Sequence, residues 1–262
     1  MLKHHEESIQ KLIKYFSNNQ AVLAIILGGS VAKGLEKPDS DIDAGVIVTD
    51  SYYSELVKEN RISECIFGHC TYENGYFDVK YFTKDFFKAA AIRGSEPSRN
   101  AFVKSYCIFC RDSDIENIVP KIGLFQESEK NEKMDSFYSA LALNYHYFWQ
   151  VSKDNIYLRI RSASDIVLFG YRLLLQENGV LFPCHKSLFD TVAKLPRKPD
   201  NIIYKGECLL NNMRDEDAKS FVESILSFIK YQPPKNWSEV LTRFIDDNEM
   251  WWYTERPTIA EW

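Results

Sequence analysis

Two short groups of residues near the beginning of the chain carry groups suited to phosphate and metal chemistry. Gly28, Gly29 and Ser30 form a glycine-rich turn with a hydroxyl, and small residues let backbone N–H groups approach phosphate closely. Asp41 and Asp43 follow after a short spacer. In an extended segment their side chains point to the same face. Two hard oxygen ligands beside a phosphate turn suit Mg²⁺ held against a triphosphate, which predicts nucleotidyl transfer.

The flanking segments predict the elements that would position these groups. Residues 21–27 are a short apolar run that ends at the glycines, as a buried strand would, and residues 44–48 continue beyond Asp43 as a second buried strand. Gly34 and Pro38 lie between them and limit any helix there to a short one. The predicted unit is strand, phosphate turn, short helix, loop and strand.

At these residues the sequence resembles the DNA polymerase β-like nucleotidyltransferase superfamily. The shared features are a hydrophobic strand, the Gly29-Ser30 pair, a spacer, and Asp41-Ile42-Asp43. The family also has a third carboxylate on a later strand. The β-rich segment 75–82 supplies Asp78 between hydrophobic residues. The resemblance implies an α+β fold, with a nucleotidyltransferase domain of mixed β-sheet and flanking helices over residues 1–120.

The resemblance also implies roles for single residues. Asp41, Asp43 and Asp78 would be catalytic and would hold two Mg²⁺ ions, with Asp78 near the acceptor hydroxyl as ligand, base or both. Gly29, Ser30 and, more weakly, Lys33 would hold the phosphates of a nucleoside triphosphate, with ATP the expected nucleotide. The competing structural interpretation is an Asx turn that leads into a strand, with Asp78 facing solvent at a sheet edge.

The second half of the chain has a helical pattern from about residue 134. We expect an α-helical bundle over residues 125–262 that binds the acceptor. Residues 178–199 resemble a segment of bacterial stand-alone nucleotidyltransferases of the aminoglycoside and lincosamide type. In that layout the acceptor lies between the two domains, and His185 and Lys186 would contact the nucleotide; the alternative is a surface pair at a helix start.

Composition narrows the class of acceptor. The formal net charge is −5 in 262 residues, so no basic surface for a nucleic-acid backbone is evident. No apolar run approaches the ~18 residues of a membrane span, and residues 1–7 lack a signal-peptide core. These features predict a cytoplasmic enzyme that acts on a hydroxyl of a small molecule, such as an antibiotic, without nucleic acid or membrane.

Two other function classes stay open at this point. The same chemistry on a protein or RNA acceptor would make the chain an antitoxin-like modifier, although such modifiers are often little more than the catalytic domain. A non-catalytic nucleotide-binding module is the second alternative. The retention of Asp41, Asp43 and Asp78 argues against it, because a simple binder does not need all three.

Further expectations concern the remaining elements. Cys107 and Cys110 form a lone C-x-x-C in a predicted strand, where they should face opposite sides as free thiols. The aromatic tail 249–257 should dock across the domain junction or onto a second copy of the chain. Residues 119–123, with the charged segment 127–132, predict a connector. Strands are expected over 22–28, 43–49, 64–70, 76–83 and 104–110, and helices over 6–18, 84–93, 96–104, 187–195, 215–231 and 238–244.

Overall fold

The chain folds as two compact units in the computed structural model, which describes residues 1–253 and 257–262. The first unit is Met1–Leu124 and the second is Phe125–Trp262. Among the described residues, the helices are too short or too polar to cross a membrane. The assignment of catalysis to the first part of the chain and of acceptor binding to the second stays a prediction.

The first unit is built on a five-stranded mixed sheet. Its strands in chain order are β1 Val22–Leu27, β2 Ile42–Val48, β3 Ser63–Phe67, β4 Tyr76–Phe82 and β5 Tyr106–Cys110. Their spatial order is β3-β4-β2-β1-β5. β2 runs antiparallel to β1 and parallel to β4. The strands that carry the phosphate turn and the predicted metal ligands therefore lie side by side in the middle of the sheet.

Helices cover both faces of this sheet. The helices of the first unit are α1 Lys3–Ser17, α2 Gly29–Lys33, α3 Asp50–Lys58, α4 Lys84–Arg93, α5 Glu96–Ala101 and α6 Ser113–Ile122. Apolar residues of α1 and α3 pack on one face of the sheet, and those of α4 and α6 pack on the other. Thr49 and Thr83 cap the N-termini of α3 and α4 by accepting backbone N–H groups.

The second unit is a helical bundle around its own apolar core. Its helices are α7 Lys130–Leu143, α8 Trp149–Val151, α9 Ile156–Glu177, α10 Leu188–Ala193, α11 Ile202–Asn212, α12 Asp215–Phe228 and α13 Trp237–Asn248, with a π-helical turn over Asn144–Phe148. After α9, Gly179 adopts φ +64 while the N–H of Val180 bonds to Leu175 O, which ends the helix. The predicted α+β fold class is confirmed.

The predicted connector at 119–123 is wrong, because residues 119–122 belong to α6. Pro120 lies inside that helix and leaves the Glu116 carbonyl without its usual donor in the helix. Ile115, Val119 and Ile122 recur at helical spacing and are all buried, so their packing outweighs the lost hydrogen bond. Two further helices, α3 and α11, were not predicted.

The expectation for the C-x-x-C pair is wrong in its geometry. Ile25 pairs with Phe109 and Ile26 with Cys107, so Ile108 is an extra residue in β5. This bulge reverses the alternation, and both Cys107 and Cys110 pack against the α4 and α6 side of the sheet. All six cysteines are free, and burial raises the pKa of the Cys107 thiol to about 12, with Cys110 a smaller cause.

The aromatic tail is only partly described. Trp252 and Tyr253 are exposed, whereas Ile259 and Trp262 pack into the core of the second unit. Residues 254–256 of the predicted docking segment lie outside the described residues. Docking of this tail onto another surface stays a prediction.

Candidate active site

The phosphate turn forms where β1 ends and α2 begins. Gly29 has φ +62, and Gly34, which follows α2, has φ +69. A Cβ at Gly29 would overlap the carboxylate of Asp43, whereas a Cβ at Gly34 would meet open space. The turn therefore needs glycine at 29 for two reasons, since the backbone is left-handed there and the Asp43 carboxylate lies against it.

The three predicted carboxylates meet beside this turn. Asp41 precedes β2, Asp43 lies within β2, and Asp43 is directly opposite Asp78 in the β2–β4 register. One oxygen from each of Asp41, Asp43 and Asp78 lies within 4.8 Å of the others. Glu73 and Asp85, two acidic residues close to Asp78 in sequence, are not in this cluster. The donor set consists of hard carboxylate oxygens, which fits Mg²⁺.

Burial and the neighbouring carboxylates disfavour the ionised form of Asp43. Burial, followed by the charges of Asp41 and Asp78, raises the pKa of Asp43 to about 6 from its usual 3.8. Lys80 and Lys33 act in the opposite direction, with smaller effects. The negative charges of the cluster repel one another, so a proton or a cation bound there relieves the repulsion. A divalent ion would therefore be stabilised at this position.

Neighbouring side chains fix the geometry of the acidic cluster. The Tyr76 hydroxyl donates to Asp41 Oδ2 at 3.0 Å, and this bond with the Asp41 charge raises the pKa of Tyr76 to about 12. Lys80 Nζ lies 3.4 Å from Asp78 Oδ2. Lys33 Nζ donates to Asn100 Oδ1 at 3.3 Å. Both lysines thus place cationic groups beside the acidic cluster.

The loop that leads into Asp41 is tied to α1 and to the segment before β4. The His5 ring donates from Nε2 to the Ser40 carbonyl at 3.2 Å, and the Tyr72 hydroxyl donates to the same carbonyl at 2.5 Å. His5 is fully buried, and burial lowers its pKa, so the neutral ring is favoured. These contacts hold the backbone just before Asp41.

A cavity of about 460 Å³ opens beside the cluster. Gly29, Asp43, Asp78 and Lys80 line its polar end, and Phe82, Phe86 and Phe102 are among the residues that line its apolar end. Ser30 lies in α2 but does not line this cavity. His185 and Lys186 lie in the second unit, in the 3₁₀ turn before α10, where His185 Nε2 is 3.2 Å from Glu261 Oε1.

The family model for "Polymerase beta, Nucleotidyltransferase" matches residues 10–93, a range that contains the phosphate turn and all three carboxylates. This segment is a nucleotidyltransferase domain. It makes the chain an enzyme of the transferase class. A comparison with curated proteins found no match for the chain.

Two solved structures are similar to this chain. One is a nucleotidyltransferase-like protein from Exiguobacterium sibiricum 255-15, with 11% identity over 97% of this chain and 81% of that one, and a TM-score of 0.46. The other is the spectinomycin adenyltransferase AAD(9) from Enterococcus faecialis, solved with ATP and spectinomycin. It has 16% identity over 91% of this chain and 96% of that one, and a TM-score of 0.33.

Sequence reasoning missed several residues of the candidate site. Tyr76, Lys80 and Phe82 share one face of β4 with Asp78, because residues two apart in a strand point the same way. That alternation is visible in the sequence of segment 76–82 and could have identified them. Phe86 comes from α4 and gave no comparable signal, since only the fold brings it to the cavity.

Proposed function

We propose that the protein transfers a nucleoside monophosphate from a nucleoside triphosphate to a hydroxyl of a small molecule, with Mg²⁺ required and pyrophosphate released. The observation that carries the proposal is the cluster of Asp41, Asp43 and Asp78 beside the Gly29-Ser30 turn. ATP is the expected nucleotide.

The three carboxylates would hold two Mg²⁺ ions. Bound there, Mg²⁺ would supply charge stabilisation for the attacking and leaving oxygens of an in-line displacement. Asp78 would accept the proton of the acceptor hydroxyl as the new O–P bond forms at the α-phosphorus. The bond from the α-phosphorus to the bridging oxygen breaks, and pyrophosphate departs with that oxygen.

Other groups of the chain would bind and orient the nucleotide. The backbone at Gly29 and the Ser30 hydroxyl would bind the terminal phosphates, since the first N–H groups of a helix lack partners within it. Lys33 and Lys80 would neutralise phosphate charge from the sides of the cavity. Tyr76 would keep the Asp41 carboxylate in one orientation through its hydrogen bond.

A small-molecule acceptor is supported by charge and by the size of the cavity. A net charge of −5 disfavours approach of a nucleic-acid backbone, and a cavity of about 460 Å³ suits a small ligand. A role for His185 and Lys186 in nucleotide binding, binding of the acceptor by the second unit, and association into a homodimer remain parts of this proposal.

Label transfer distinguishes the proposed reaction from its alternatives. Purified protein with Mg²⁺ would be incubated with α- or γ-labelled ATP and, separately, an aminoglycoside, a lincosamide, a small-molecule cell extract or total RNA. We expect α-label on a small molecule and γ-label only in pyrophosphate. Transfer of γ-label to an acceptor would contradict the proposal, and α-label on RNA alone would favour the RNA-modifying alternative.

A further inference from the structure

The apolar end of the cavity is an aromatic surface that the metal and phosphate chemistry does not use. We call Phe82, Phe86 and Phe102 the aromatic wall. The rings of Phe82 and Phe86 stack, with centroids 4.6 Å apart and an interplanar angle of 20°. Phe86 nevertheless keeps 38% of its surface exposed. Stacked rings that stay open to a cavity are suited to contact a flat apolar group of a ligand.

The wall begins on the same strand face as Asp78. Asp78, Lys80 and Phe82 alternate along β4 and all line the cavity. Gly45 lies opposite Lys80 in the neighbouring strand, and a Cβ there would already touch the Phe82 ring at 3.5 Å. Because Gly45 has no side chain, the space between the acidic cluster and the aromatic wall stays open.

The charges in the cavity limit which ligands fit against the wall. Among the described residues that line it, the carboxylates are Asp43 and Asp78, and both belong to the acidic cluster. Lys80 is the charged residue between that cluster and Phe82 on β4. A ligand on the wall therefore faces an ammonium group and finds no carboxylate outside the cluster to bind a cationic substituent.

From these observations we infer that the acceptor carries its hydroxyl on a flat apolar or aromatic body, is neutral or anionic, and docks against Phe82, Phe86 and Phe102. This inference rests on the proposed function. The acceptor is favoured over the nucleobase as the occupant because the wall continues the strand of Asp78, the carboxylate expected to receive the acceptor's proton. Polycationic acceptors are disfavoured by Lys80.

The test uses three probes that share a hydroxyphenyl ring and differ in charge: neutral tyrosol, cationic tyramine and anionic 4-hydroxyphenylacetate. Their dissociation constants would be measured by ligand-observed NMR with and without Mg²⁺ and α,β-methylene-ATP, whose α–β bridge resists cleavage. Phe86→Ala removes an exposed ring of the wall, and Lys80→Gln removes the cation. Ile92→Ala and Lys88→Gln are matched controls on α4, at positions that do not line the cavity.

Phe86→Ala should weaken tyrosol binding about fivefold, from loss of one aromatic contact, and leave the affinity for the nucleotide analogue unchanged. Tyramine should bind the parent protein about threefold more weakly than tyrosol, a difference that Lys80→Gln removes. The control variants should match the parent.

Tightest binding of tyramine, or equal tyrosol binding by Phe86→Ala and the parent, would overturn the inference. A Phe86→Ala variant that loses nucleotide affinity alone would place the nucleobase on the wall and also overturn it. Failure of the parent protein to bind the analogue with Mg²⁺ would instead contradict the proposed function. The probes without nucleotide still test the chemistry of the wall in that case.

Discussion

At the scale of single residues, the ionised form of Asp43 carries an electrostatic cost in the folded protein. Its pKa is raised to about 6 by burial and by the neighbouring carboxylates. A carboxyl with a raised pKa in the folded state opposes folding when it is ionised, so this penalty is present above pH 6 and disappears as the pH falls towards 4. Function and stability therefore make opposite demands on this residue.

We expect Asp43→Asn to abolish Mg²⁺-dependent transfer while it stabilises the metal-free protein. The gain in unfolding free energy should be about 1–2 kcal/mol at pH 8, since partial exposure reduces the value that the full pKa shift implies. The gain should shrink as the pH is lowered through 6. Urea unfolding in EDTA measures it, with Asp85→Asn as an exposed control. Activity within about threefold of the parent would contradict the role of Asp43 as a metal ligand.

Gly29 offers a second prediction at the residue scale, with a matched control. Gly29→Ala and Gly34→Ala both place alanine in a left-handed conformation, at about 1–2 kcal/mol each. Only the Cβ at 29 meets the Asp43 carboxylate. Gly29→Ala should therefore lose Mg²⁺-dependent affinity for α,β-methylene-ATP, whereas Gly34→Ala should only lower the melting temperature. Equal nucleotide affinity in the two variants would show that the close approach of Gly29 to the Asp43 carboxylate does not matter for nucleotide binding.

At the scale of elements, β4 separates structural from site residues by its two faces. Phe77, Val79 and Tyr81 are buried on one face, and Tyr76, Asp78, Lys80 and Phe82 lie on the other. Each face has a tyrosine that donates to a carboxylate, Tyr76 to Asp41 at 3.0 Å and Tyr81 to Glu64 at 2.8 Å. Tyr81, which bonds to a carboxylate outside the acidic cluster, is therefore a matched control for the role of Tyr76 in positioning Asp41.

Tyr76→Phe should reduce the affinity of the acidic cluster for Mn²⁺ by about tenfold, because the Asp41 carboxylate loses the partner that orients it. Tyr81→Phe should leave Mn²⁺ affinity unchanged, since its hydroxyl bonds to Glu64. Electron paramagnetic resonance of free Mn²⁺ measures both. Parental Mn²⁺ affinity in Tyr76→Phe would exclude the positioning role.

The sequence predicted the strands better than the connections between them. All five strands were located within a few residues, because apolar runs bounded by glycine, proline and polar residues are distinctive. The inclusion of residues 119–122 in α6 could not be predicted from local rules, since buried contacts outweigh Pro120 there. The bulge at Ile108 arises from pairing with β1, which a single segment does not encode. The clustering of Asp41, Asp43 and Asp78 could be predicted from the motif spacing of the family that the sequence resembles. The aromatic wall could not, because only the folded structure brings its residues together.

At the scale of the whole molecule, two units with separate apolar cores make up the chain. The described acidic cluster and its cavity belong entirely to the first unit. Any part played by the second unit in nucleotide binding therefore rests on His185 and Lys186, whose roles were predicted from resemblance.

Hydrogen exchange with and without Mg²⁺ and α,β-methylene-ATP tests the second unit's part. Protection should increase over β2, α2 and β4, where the nucleotide is expected to bind, and also over residues 183–189. His185→Ala should remove the second effect and keep the first. Protection confined to the first unit in the parent protein would show that His185 and Lys186 lie outside the nucleotide site.

The central claim is that three carboxylates bind a divalent cation together with a nucleoside triphosphate. Calorimetric titration of α,β-methylene-ATP with Mg²⁺ or with EDTA tests it most directly, on the parent protein, Asp78→Asn and the exposed control Asp85→Asn. We predict that Mg²⁺ tightens binding at least about tenfold in the parent and in Asp85→Asn, and much less in Asp78→Asn. Equal affinity with and without Mg²⁺ in the parent protein would contradict the account.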